Sequence, residues 1–232
     1  VSGIDSATLD KPSLVIGNGE SRKDIDLKLL QEKFITVGCN ALHRDFMSDH
    51  LVCFDRRMAE EVTNNPATKN SKIHVRKDWF HYFRKIKKNK NIVEVPPIPY
   101  TGITPDDDPL NWGSGSYAVV IGASLSDTVF LIGFDLYGKH NKLNNVYKGT
   151  TNYAKTESNA VDPAYWIRQI GKTMSRLYHK KFVIINELEW SIPKEWKLQN
   201  VQFMIVSDFM SLVLNTESKL DTAVFHGIQP AL

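Results

Sequence analysis

The chain has 232 residues, of which 42% are hydrophobic and 24% charged, the composition of a globular protein with one sizeable core. Its 29 Lys and Arg against 26 Asp and Glu leave a formal net charge of +3, which suits anionic ligands in general but not a dedicated nucleic-acid binder. Two cysteines, Cys39 and Cys53, exclude a disulfide framework and fit buried thiols in a reducing, cytoplasmic setting, and no apolar run reaches the length that spans a bilayer.

Residues 1–12 read as a polar, flexible leader, and residues 13–17 as the first strand. The run Leu14-Val15-Ile16 stops at Gly17-Asn18-Gly19 and gives way to a helical pattern over 24–33. Glycines at this turn let a ligand approach the main chain, Ser21 and Asp24 are good N-cap types, and Arg22 adds a mobile positive charge, so a phosphate fits there. The turn is neither G-x-G-x-x-G nor a Walker loop.

Residues 34–38 read as the second strand with Asn40 just beyond it, 41–48 as a short helix, and 51–54 as the third strand, closed by Asp55. A surface helix follows over 56–64, then a fourth strand over 72–75. The segment 76–90 mixes aromatic and cationic residues; it reads as an amphipathic helix with Trp79, Phe80, Phe83 and Ile86 inward, or as a surface for RNA, phosphate or an acidic glycan. After a short strand at 92–95 come five prolines in the fourteen positions 96–109, a long loop. Its Asp106-Asp107-Asp108 run has the D-x-D form that holds Mg²⁺ against a diphosphate, but a solvated turn suits a proline loop better.

Gly113-Ser114-Gly115-Ser116 precedes a small-residue helix over 117–125, and 128–133 is a buried strand. Residues 139–158 are polar and suit a mobile loop or lid. A helix over 163–179 and strands at 182–185 and 201–206 follow; residues 209–214 read as a strand or a helix turn, and 207–232 as a C-terminal extension. Strands alternating with helices predict one domain over 13–206, a doubly wound, mostly parallel, Rossmann-like α/β sheet with helices on both faces.

In such sheets ligands lie beyond the carboxyl ends of the strands. The residues found there are Gly17, Asn18, Gly19, Asn40, Asp55, Ser114, Gly115, Asp135 and Tyr137. Together they could hold the phosphate, ribose and base edge of a nucleotide; singly, Asn40 and Asp55 suit helix caps and Asp135 a turn.

Val-Ile-Gly-Asn-Gly-Glu-Ser at 15–21, Gly-Cys-Asn at 38–40, Gly-Ser-Gly-Ser-Tyr at 113–117 and Ile-Gly-Phe-Asp-Leu-Tyr at 132–137 resemble the ordered motifs of the bacterial lipooligosaccharide sialyltransferases. The order is similar to that in Rossmann-like proteins of the pterin diphosphokinase-like group. The resemblance implies that Asn18, Gly19, Ser21, Asn40, Ser114, Gly115, Asp135, Leu136 and Tyr137 serve the nucleotide or nucleotide sugar. It implies a glycan acceptor and no required cofactor. The histidine base of those enzymes has no counterpart before the helix at 163, which leaves His140 and Asp162 as candidates. Hydroxyls of Tyr137, Tyr147 or Tyr153 could hold the departing phosphate. Two alternatives stand beside this one: a diphosphokinase-like transferase using ATP and Mg²⁺, with metal on Asp106–Asp108 or on Asp55 and Asp135, and a non-catalytic binding or assembly module of a bacteriophage. Homo-oligomerisation stays open.

Overall fold

The computed structural model describes residues 11–215, so most of the expected leader and the stretch 216–232 lie outside the described residues. Eight strands form one sheet: β1 Ser13–Ile16, β2 Ile35–Cys39, β3 His50–Val52, β4 Lys72–Val75, β5 Ile92–Glu94, β6 Thr128–Ile132, β7 Lys181–Asn186 and β8 Val201–Ile205. Their order is β5-β4-β3-β2-β1-β6-β7-β8, and every neighbouring pair is parallel. The expected α/β architecture is therefore present. The helices are α1 Lys28–Gln31, α2 Arg56–Asn64, α3 Lys77–His81, α4 Ser114–Leu125, α5 Ala164–Arg176 and α6 Val206–Asn215. None among the described residues is long and apolar enough to cross a membrane.

Alternation along the strands builds a core on each face of the sheet. Leu14 and Ile16 pack on one side with Leu30, Met58 of α2 and Phe83, while Val15 and Val37 pack on the other with α4 and α5. Helix α4 carries small and apolar residues all round because its middle, Ser116–Ala123, is buried on every side; a Cβ on Gly122 would lie 2.5 Å from Val15 Cγ2. That contact holds α4 flush against the centre of the sheet and fixes where its N-terminus points.

Four local expectations are revised. The helix over 24–33 is a 3₁₀ turn at Glu20–Arg22 followed by the four-residue α1, because Arg22 turns inward to donate to the Gly17 carbonyl instead of facing solvent. The helix over 41–48 shortens to a 3₁₀ turn at Asn40–Arg44, entered through Asn40 at φ +52°. Beyond α3 the chain widens into a π turn at Tyr82–Ile86, which buries Phe83 and leaves Ile86 61% exposed, so Ile86 does not face inward. Finally, where residues 207–232 read as an extension, α6 places Phe209 and Val213 in the core, with Phe209 against the rings of Phe34 and Phe130.

The proline-rich loop is pinned rather than loose. Asp107 accepts hydrogen bonds from Lys172 Nζ, Tyr100 Oη and the Thr104 amide and hydroxyl, while Asp108 caps the next turn through the Leu110 amide. Burial works against ionisation of Asp107, but these donors outweigh it and hold its pKa at about 2. A carboxylate so depressed stabilises the fold fully above its unfolded pKa near 4 and loses that contribution as pH falls towards 2. Asp107→Asn should therefore cost about 2 kcal/mol at pH 7 and flatten the acid limb between pH 4 and 2, as read by urea unfolding across that range.

Candidate functional site

The strand order reverses between β1 and β6, both central, and a cleft opens beyond their carboxyl ends. The two turns there are laddered together: the Gly17 amide donates to the Ile132 carbonyl at 2.8 Å and the Gly19 amide to the Gly133 carbonyl at 2.8 Å. A Cβ on Gly17 would sit 2.3 Å from the Gly133 carbonyl oxygen, and Gly133 takes φ +69°, so this pairing requires glycine in both places.

Beneath the β1 turn lies Arg22, 3% exposed. Its guanidinium donates to the Gly17 carbonyl at 2.7 Å and to Tyr147 Oη at 2.9 Å and lies 3.5 Å from Asp45. The mobile charge expected at this position is thus a fixed charge behind the turn. Asp135, buried at the end of β6, accepts from the Ser21 amide and from Ser21 Oγ, clamping the two turns to each other. Asn18 donates to the Cys39 carbonyl at 3.3 Å and to Tyr153 Oη at 3.2 Å; its Oδ1 is buried without a partner among the described residues.

The opposite wall is the first turn of α4. Gly113 supplies no side-chain cap, so the leading amides of the helix, which have no carbonyl of their own to reach, are left at the cleft with Gly115 and Ser116. Ser116 Oγ is buried and likewise has no partner among the described residues. Asn144 and Asn145, from the polar segment after β6, form a third side. That segment is docked, not loose: Val146 N donates to the Asn18 carbonyl, Glu20 N donates to Asn144 Oδ1, and Lys148 pairs with Glu20.

Of the residues expected at the site, Gly17, Asn18, Gly19, Asn40, Gly115, Asp135, Leu136 and Tyr137 line the cleft. The others do not reach it. Ser114 Oγ accepts from the Phe54 amide, tying α4 to β3. Asp55 caps α2 through the Met58 amide and Asp162 caps the entry to α5 through the Ala164 amide, while His140 sits exposed at φ +50°. Tyr147 Oη is taken up by Arg22 and Asp45. Ser116 and Trp166 were not foreseen; the signal for Ser116 was its place in the first turn of a helix opened by glycine, where both side chain and amide face the same way.

The titratable side chains lining the cleft, among the described residues, are Cys39, Asp135 and Tyr137. Burial pushes the Cys39 thiol up to about 12, with Arg22 opposing, and burial followed by the charge of Glu195 raises Tyr137. Both are protonated at neutral pH, so the cleft offers hydroxyl, amide and backbone N–H donors. No group of three or more His, Cys, Asp or Glu side chains among the described residues is placed to hold a metal ion. Asp107 of the acidic run is committed to Lys172.

No family model matches the sequence. No curated protein matches it. Among solved structures the chain is similar to the sialyltransferase CstII from Campylobacter jejuni, determined in complex with a substrate analogue, CMP-3FNeuAc, at 14% identity over 75% of this chain and 81% of that one, with a TM-score of 0.49.

Proposed function

We propose that the cleft binds a nucleotide as part of a nucleotide sugar, and that the chain is a metal-independent glycosyltransferase of the sialyltransferase-like kind. The observation that carries the reading is a convergence at one cleft: Asn18 and Ser116, whose Oδ1 and Oγ are buried without a partner among the described residues, and the first turn of α4, which no side chain caps. Buried polar atoms without partners are rare in a folded protein, and a ligand that pairs them is the physical reason to keep them. The uncapped N-terminus of α4, facing the β1 turn with the Arg22 charge behind it, suits the phosphate. Asn18 and Asn40 suit sugar or base edges, and the Tyr137 hydroxyl suits the departing phosphate oxygen.

A thermal-shift series with CMP, CMP-sialic acid, UDP and ATP, each with and without Mg²⁺, tests this, since a ligand bound only by the native state raises Tm. A rise with CMP compounds that survives chelation supports the reading; a rise only with ATP and Mg²⁺ favours the diphosphokinase-like alternative. Turnover then isolates Tyr137. Tyr137→Phe should fold normally, because the side chain is 37% exposed, and lower kcat about tenfold or more with little change in KM. Equal kcat would remove Tyr137 from the reaction.

One observation favours a second, non-catalytic reading. The carboxylate in the cleft, Asp135, is already occupied by Ser21, so among the described residues no lining side chain stands ready to take an acceptor proton. Ligand binding without transfer to any hydroxyl acceptor would support a binding module.

A further inference from the structure

A second groove adjoins the cleft on the far side of Tyr137, at the carboxyl end of β7. It shares Asp135, Tyr137, Gly138 and Asn144 with the first, and its other walls are Lys139, Asn186, Glu187, Glu189, Trp190 and Ser191. Asn186, the last residue of β7, is 2% exposed. Its Oδ1 accepts from the Glu187 amide, which fixes the orientation of the amide group, and its Nδ2 is buried with no acceptor. Trp190 is held in place by donating from Nε1 to the Asp135 carbonyl at 2.7 Å and by stacking one face on Phe203, with ring centroids 6.0 Å apart. Tyr137 and Trp190 face each other at a tilt, 6.3 Å between centroids.

We infer that this groove is a pyranoside subsite, the place of a neutral sugar acceptor beside the nucleotide-sugar cleft; the word acceptor rests on the function proposed above, the sugar site does not. Aromatic rings offer an apolar surface to the C–H face of a pyranose, while an amide donor and carboxylate acceptors match its hydroxyls. The Asn186 amide has a hydrogen bond to give and nothing in the described chain to give it to. Charge selects among sugars. Glu187, Glu189 and Glu195 lie around Tyr137 and Trp190, and Lys139 is already paired with Glu187 at 3.2 Å. The groove therefore disfavours a sugar that carries its own carboxylate and admits a neutral one.

Saturation-transfer NMR on the intact protein tests this with methyl β-galactoside, methyl β-glucoside and methyl β-glucuronide as probes. Transfer to the ring protons of the neutral glycosides, at least threefold weaker for the glucuronide, is expected. Ser191→Phe, on an exposed residue at the groove wall, should abolish that transfer and leave the nucleotide thermal shift unchanged. Glu189→Ala, also exposed, serves if the first variant does not fold, and should weaken the neutral glycosides while narrowing the gap to the glucuronide. No transfer to any probe in the presence or absence of nucleotide, or transfer unaltered in Ser191→Phe, overturns the inference. Transfer blocked by Ser191→Phe in a protein that gives no nucleotide shift supports the sugar site and overturns the donor reading alone.

Discussion

Replacing Gly115 with valine should leave the protein folded and remove nucleotide binding, lowering affinity by at least two orders of magnitude, about 2.7 kcal/mol. A Cβ at Gly115 meets only Cys39 Sγ at 3.8 Å and Phe134 Cε1 at 3.9 Å, ordinary contacts, and because all three residues line the cleft the two further methyls are expected to take up its space. A valine in a helix is no worse than glycine for the backbone, so stability should hold within about 1 kcal/mol. Gly19 is the obvious alternative from the sequence and is the wrong position: its Cβ would lie 2.3 Å from Asp135 Cγ, so any side chain there breaks the clamp on Ser21 before it reaches a ligand. Titration calorimetry on Gly115→Val, with the circular dichroism melt as the fold control, is the check. A folded variant that binds as the parent does would put the ligand elsewhere.

Arg22→Met should be the most damaging single change near the site, lowering unfolding free energy by about 2–4 kcal/mol. The substitution keeps the apolar stem and removes the bonds to the Gly17 carbonyl and Tyr147 Oη, leaving a buried acceptor unpaired and Asp45 without its cation. Asp45 is half exposed, which is why the effect belongs at the lower end of what a wholly buried pair would show. Urea unfolding reads the stability. Nucleotide affinity should fall as well, because the charge behind the β1 turn is lost together with the turn's support. Arg22→Lys should rescue little, since one ammonium cannot replace the guanidinium fork between Gly17 and Tyr147. An Arg22→Met protein as stable as the parent would mean that Tyr147 and Asp45 satisfy each other without it.

Much of this architecture is legible in the residues themselves. Helix α2 follows from a local signal, an Asp55 cap ahead of an amphipathic run, and it occurs where expected, as does the short strand β4 at Lys72–Val75. The gathering of Gly17, Asn18, Gly19, Asn40, Gly115 and Asp135 follows from parallel-sheet geometry, which collects strand ends whatever the helices do. What local patterns do not carry is long-range pairing. Arg22 looks like a surface charge after a turn because its partners, Asp45 and Tyr147, are remote in the chain. His140 and Asp162 have suitable chemistry, yet backbone conformation sends one to solvent and the other to a helix entry. The groove at β7 was invisible for the same reason: Tyr137 and Trp190 meet only once β6 and β7 pair.

The position of β1 in the sheet also sets the order in which the molecule can be assembled. β1 pairs with β2 on one edge and with β6 on the other, and Ser13 lies opposite Val129. During synthesis the first five strands can form a half-sheet, but its innermost edge stays open until residues 128–132 arrive. An exposed edge of buried, apolar character such as Leu14-Val15-Ile16 recruits other strands, and closing so long a loop is slow. A chain ended at residue 125 should accordingly aggregate, whereas the same chain supplied with the remainder as a second polypeptide should be recovered in soluble form.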